Sequence, residues 1–227
     1  MTDPEFYNTL TPSEAVAIQK QLREKVTLDP FTGPIRLIGG ADISFNKFEE
    51  TVYAGIVVLK YPELLVQTYV VVTFTVKFPY VSGLLAFREV PALLKAWQQL
   101  AQKPDILVLD GQGIAHPRRM GIATHFGIIA GQPTIGCGKS RLTGSYQEPA
   151  NQQFAATPLM HKEEQIGNVL RSKANCKPVF VSPGYHVSML QSLDIIKRCV
   201  RKHRIPEPTR LAHLLVNEER VKARGNE

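Results

Sequence analysis

Apolar residues along this chain fall into two rhythms, one with the 3.6-residue period of a helix and one that alternates or runs on as in strands. Ala15, Ile18, Leu22 and Val26 mark one helical face. Thr11-Pro12-Ser13-Glu14 ahead of them supplies a cap, a proline at the first helical position and a capping-box glutamate. Runs rich in Val, Ile, Thr and Tyr follow at Ile35 to Phe45, Thr51 to Lys60 and Leu65 to Val76. The turns between them are too short for crossover helices, which predicts an antiparallel meander. Phe87 to Gln102 reads as a helix burying Leu93, Leu94 and Trp97, with Pro91 tolerable only in its first turn. Ile106 to Leu109 is a continuous apolar run, as in a strand buried on both faces. Beyond it the pattern predicts a helix around Gly121 to Ala130, a strand at Pro133 to Cys137, a loop over Thr143 to Glu164, and strands at Gln165 to Arg171 and Val179 to Ser182. Leu190, Leu193, Ile196, Cys199 and Val200 make Val187 to Arg201 helical, and a last helix begins near Thr209 after Pro206-Glu207-Pro208.

A meander followed by parallel βα units gives an α/β fold, with a mixed sheet and helices on both faces. That order is the order of the ribonuclease-H-like fold, although other α/β folds share it. No repeat and no compositional shift marks a linker, so one domain over residues 1–227 is expected. Composition adds limits. Hydrophobic residues make up 44% and charged residues 21% of the chain, as in ordinary soluble proteins. No apolar run is long enough to span a bilayer, and no charged-then-apolar leader opens the chain. The net charge of +7 suits a polyanionic partner. The three cysteines, Cys137, Cys176 and Cys199, are scattered without a CxxC pair, which argues against a zinc site or disulfide framework and fits a reducing cytoplasm.

The candidate chemistry lies in three acids. Asp42 interrupts the first apolar strand, Asp110 closes the fourth, and Glu89 follows Phe87-Arg88 near a helix start. An acid in an apolar strand is costly unless hydrogen bonds or a cation offset its desolvation. A lone strand-end Asp more often caps the next turn. Two such acids with glycines beside both point towards an oxygen-ligated magnesium or manganese site. Gly111-Gln112-Gly113 is an incomplete Rossmann pattern, since His116 occupies the next required glycine position. Gly138-Lys139-Ser140 resembles the end of a P-loop, but Pro133 stands where its first glycine belongs, which excludes that ATPase class. Lys139 can contact a phosphate or remain a solvated loop lysine. Arg118 and Arg119 can grip phosphates or form a solvated pair. His213 sits on a helix, where a lone histidine is more often structural. The residues alone imply a metal-dependent enzyme acting on phosphates.

Longer segments carry a resemblance. Gly40 to Phe45, Pro79 to Glu89, Asp110 to Arg119, Pro133 to Leu142, Leu190 to Val200 and Pro206 to His213 resemble, in order, the motifs of endonuclease V, bacterial type. The similarity runs from about Thr11 to Glu219. It implies the ribonuclease-H-like fold and a magnesium-dependent endonuclease, with manganese as substitute. The implied DNA repair reaction is cleavage at deaminated bases, chiefly deoxyinosine. It hydrolyses the second phosphodiester bond 3′ to the lesion and leaves 3′-hydroxyl and 5′-phosphate ends. It further implies Asp42 and Asp110 as metal ligands, Glu89 completing the acidic site, and Lys139 and His213 as further active-site groups. Tyr80 would be a wedge in the DNA stack. Gly83, Leu85, Gly111, His116, Gly121, Ile122 and Leu142 would form the pocket for the extruded base, and Arg118 and Arg119 would contact phosphates. The family's usual Pro-Tyr-Ile-Pro wedge is here Pro79-Tyr80-Val81-Ser82, and losing the second proline loosens the loop. A monomer acting on deoxyinosine-containing DNA is expected. Inosine-containing single-stranded RNA is an alternative substrate. A different ribonuclease-H-like nuclease or a non-catalytic binding module is the rival reading.

Overall fold

The computed structural model describes residues 1–46 and 49–225; residues 47–48 and 226–227, which the single-domain expectation includes, lie outside them. A short 3-10 helix at Pro4–Thr9 precedes α1 (Pro12–Arg23), which has the expected capping box between Thr11 and Glu14. The strands β1 (Leu37–Phe45), β2 (Thr51–Lys60) and β3 (Leu65–Thr75) pair as an antiparallel meander. Next come α2 (Ala86–Gln99), β4 (Ile106–Leu109), α3 (Ile122–Ala130) and β5 (Thr134–Gly138). β4 pairs parallel to β1, and β5 parallel to β4. The chain continues through β6 (Ala156–His161), β7 (Glu164–Leu170) and β8 (Val179–Tyr185), then α4 (Met189–Cys199) and α5 (Glu207–Gly225). All strands join one eight-stranded sheet in the order β3-β2-β1-β4-β5-β8-β7-β6.

Period-2 alternation splits the sheet between two cores. Leu107 and Leu109 of β4 face α2 and α3 with Ala41, Ile56 and Phe87. Ile106 and Val108 face the other side with Ile38, Ile195, Ile196 and Ala212 of β1, α4 and α5. Helices therefore cover both faces, as the pattern predicted. No helix among the described residues is long and apolar enough to cross a membrane.

Two expectations fail. Thr143 to Glu164 is not all loop, because Ala156–His161 forms the edge strand β6 against β7. Its sequence, ATPLMH, has no clean alternation and carries Pro158, features tolerated at an edge where few backbone donors are needed. Pro91 lies inside α2 rather than in its first turn. It is buried, and packing of Phe87, Val90, Leu93 and Leu94 around it offsets the backbone hydrogen bond it cannot make.

Candidate active site and adjoining cavity

Strand register creates the acidic pair. Ala41 of β1 lies beside Leu109 of β4 in the parallel ladder, and the Asp110 N–H donates to the Ala41 carbonyl at 3.1 Å. The next residue on each strand, Asp42 and Asp110, therefore points to the same face, the one α5 covers. Gly40 lets that helix in. A Cβ there would stand 1.9 Å from the Pro208 carbonyl oxygen, so the glycine beside Asp42 makes room for a helix rather than for a ligand. α5 then brings His213, whose Nδ1 is 2.7 Å from Asp42 Oδ2. One ligand atom each from Asp42, Asp110 and His213 lie within 4.8 Å of one another. Asn217 fixes the imidazole, with its amide nitrogen 3.0 Å from His213 Nε2, and Ser44 donates to the Asn217 oxygen at 2.8 Å.

The electrostatics are those of crowded carboxylates. Burial, then the charge of Asp110, push the Asp42 carboxyl up to about 6 against the opposing pull of the Ile43 N–H, His213 and Lys139. Burial, then the charges of Asp42 and Asp110, raise Glu89 to about 8. Lys139 Nζ is paired with Asp110 Oδ2. Its backbone is held from two sides: Arg204 donates to the Lys139 carbonyl at 2.8 Å, and Gln112 to the Ser140 carbonyl at 2.9 Å. Such a cluster gains by binding a divalent cation, which removes the carboxylate repulsion.

Beside it opens a cavity of about 390 Å³. Gly83, Leu85, Gly111, His116, Gly121, Ile122 and Leu142 all line it, together with Tyr80, Glu89, Asp110 and Lys139. The leading turns of α2 and α3 face it through Leu85, Ala86, Gly121 and Ile122, and helix starts carry N–H groups with no intrahelical partner. Burial, then the Arg118 charge, depress His116 to about 4, so its ring is neutral at pH 7. The Arg118 N–H donates to His116 Nδ1 at 3.2 Å, which leaves the ring proton on Nε2. Tyr80 at the rim is 72% exposed.

The two arginines of the central motif are occupied internally. Arg118 donates to the buried Gln19 side chain at 2.5 Å and to the Gly83 carbonyl at 2.7 Å, and Gln19 donates to that carbonyl at 3.0 Å. Gly83, at φ +76°, turns the chain there in a conformation that favours glycine. Arg119 pairs with Glu164 at 2.6 Å and donates to the His116 carbonyl at 2.9 Å. A phosphate contact by either would compete with these bonds. Sequence reasoning missed Gln19, Gln112, Arg204 and Asn217. Three of them are amides, which carry no charge pattern, and only the fold brings these residues and Arg204 to the site.

The family model for Endonuclease V matches residues 20–214, a span that includes every residue of this cluster and cavity. The chain belongs to the endonuclease V family. Among solved members, Endonuclease V of Streptomyces avermitilis is 39% identical, with 94% of each chain covered and a TM-score of 0.89. That of Bacillus subtilis is 29% identical, with 97% of each covered and a TM-score of 0.92. Endonuclease V of Ciona intestinalis, solved with a 23mer DNA containing an inosine followed by a ribo-adenosine, is 27% identical, covers 94% of this chain and 100% of its own, and has a TM-score of 0.82. The fold is thus that of the endonuclease V structures, ribonuclease-H-like, and the family is one of nucleases.

Proposed function

We propose that this member of the endonuclease V family is a DNA repair enzyme that hydrolyses the second phosphodiester bond 3′ to a deaminated base, chiefly deoxyinosine, leaving 3′-hydroxyl and 5′-phosphate ends. The observation that carries the proposal is the juxtaposition of the Asp42–Asp110–His213 cluster with the cavity, Asp110 belonging to both. Asp42, Asp110 and His213 would hold Mg2+, or Mn2+ in its place, since their oxygen-rich donor set suits a hard cation. When bound, the ion would neutralise charge at the phosphate and orient and polarise water for attack. Lys139, held at its backbone by Arg204 and Gln112, adds positive charge where the phosphorane develops. Glu89 keeps its proton at neutrality until a nearby positive charge draws it off.

The cavity accounts for base choice. Hypoxanthine offers an O6 acceptor and an N1–H donor and lacks the 2-amino group of guanine. The helix-start N–H groups at Leu85 and Ile122 and the neutral His116 ring suit the acceptor, and discrimination against guanine would lie in a wall that offers its 2-amino group no partner. A mispaired inosine also costs less to extrude than a paired guanine. The deciding experiment uses a labelled duplex with one deoxyinosine and maps the cut. A magnesium-dependent cut at the second bond, absent in EDTA and absent with guanine in the same place, is expected. Equal cutting of guanine would defeat the proposal.

Inosine in single-stranded RNA is the second reading, favoured by the ribo-adenosine after the inosine in the Ciona complex. The proposal also takes the protein as monomeric and cytoplasmic.

A further inference from the structure

The β6–β7 hairpin builds a second feature beside Lys139. Ser145 bridges Met160 of β6 with paired backbone bonds of 2.7 and 2.8 Å, which fixes the next residue, Tyr146, on the sheet's far end. The Tyr146 ring stands edge-on to Phe180 at 5.5 Å between centroids, and the Arg141 guanidinium lies 5.8 Å over it. These groups, with Lys139 and Lys177, line an open groove of about 740 Å³. Its charge is positive. Glu148, the carboxylate in its wall, is paired with Arg171 at 2.6 Å, while Arg141 and Lys177 make no ion pair among the described residues.

Basic side chains around an anchored aromatic ring are what single-stranded nucleic acid binds, because every base has a face to stack and every nucleotide a phosphate to pair. The groove shares Lys139, Ser140 and Arg141 with the base cavity. A strand leaving that cavity past Lys139 enters the groove without crossing the protein. Neither the base cavity nor the acidic cluster uses Tyr146 or Lys177.

We propose that this groove binds an unstacked nucleotide of the cut strand, its base on the Tyr146 ring where Arg141 now lies and its phosphate against Lys177 and the displaced Arg141. The inference rests on the reading that the substrate strand passes Lys139. The groove offers a ring face and charges rather than a fixed donor pattern, so it does not distinguish bases.

The test is binding in EDTA of the full chain to single-stranded oligodeoxynucleotides carrying one deoxyinosine or, at the same place, guanine. Tyr146→Ala should weaken both by about fivefold or more, a typical loss for one stacked base. Tyr146→Phe should stay within about twofold of the parent, because the ring is kept. Lys177→Ala, at an exposed position, should reduce the slope of log affinity against log salt by about 0.7, the value for one phosphate contact on a single strand. Melting temperatures identify a Tyr146→Ala variant that has lost its fold, and Lys177→Ala then decides alone. Unchanged affinity and salt slope would overturn the proposal, as would a Tyr146→Phe loss equal to that of alanine. If inosine is not cut but both variants weaken single-strand binding, the functional reading fails and the groove stands. If cutting is normal and both variants bind like the parent, the groove fails alone.

Discussion

Glu89 illustrates how one residue couples stability to chemistry. Its folded-state carboxyl titrates at about 8, above the ordinary 4.5, because burial and then the charges of Asp42 and Asp110 disfavour ionisation. The folded protein therefore binds this proton more tightly than the unfolded chain. The contribution to stability is fully present below about pH 4.5 and is lost as pH rises through 8. Glu89→Gln should accordingly raise the melting temperature in EDTA at pH 8.5, by the equivalent of about 1–3 kcal/mol, and change little at pH 5. A destabilised variant at pH 8.5 would contradict this burial. Asp110→Ala removes a shared group of cluster and cavity. It should cut cleavage by about 100-fold or more while inosine-dependent binding remains measurable. Near-parental turnover at saturating magnesium would remove Asp110 from the metal site. At this scale Asp42 and Asp110 were legible because charge within or closing an apolar strand is anomalous. Asn217, which orients His213, was not, because an asparagine on a helix carries no such anomaly.

At the scale of elements, the approach to the cavity is a single device made of α1, the turn before α2 and the loop after β4. Gln19 of α1 and Arg118 both donate to the Gly83 carbonyl, so the turn that carries Tyr80 is held from behind. Arg118→Ala leaves the buried Gln19 oxygen and part of that carbonyl without a donor, at a cost of about 1–3 kcal/mol of stability. Its functional loss should fall on inosine-containing DNA more than on undamaged DNA. A uniform loss with unchanged stability would instead make Arg118 a phosphate contact. Tyr80→Ala should keep the melting temperature, since the ring is exposed, and lose affinity for inosine in duplex by about 1–3 kcal/mol. The loss on single strands should be smaller, because no stack has to be held open. Equal losses on both forms with a lowered melting temperature would indicate a packing tyrosine. Elements were legible where periodicity was strong, as in the meander and β4. They were not where packing overrides local preference: β6 forms around a proline because β7 offers it a partner, and α2 runs through Pro91 because its apolar face is buried.

For the whole molecule, the site is assembled from residues that the sequence separates widely. Asp42 and Asp110 meet through the register of β1 and β4, a pairing that the order of elements along the chain does not fix. His213 arrives only because α5 docks on β1, and that depends on a glycine in a strand. In the sequence Gly40 read as a companion of Asp42; in the fold it is the seat of α5. Gly40→Ala tests this dependence. The new Cβ would stand 1.9 Å from a backbone carbonyl, a contact no rotamer change relieves, so α5 has to move. The β1–β4 ladder keeps Asp42 and Asp110 together, while His213 is displaced with its helix. Overpacking of this kind costs about 1–3 kcal/mol, which the melting temperature reads. The loss of one ligand from the cluster should show separately, as about a tenfold rise in the magnesium needed for half-maximal cleavage. A variant that melts lower but keeps its metal requirement would show that His213 is not part of the metal site. A variant unchanged in both would show that α5 is not seated on Gly40 as described.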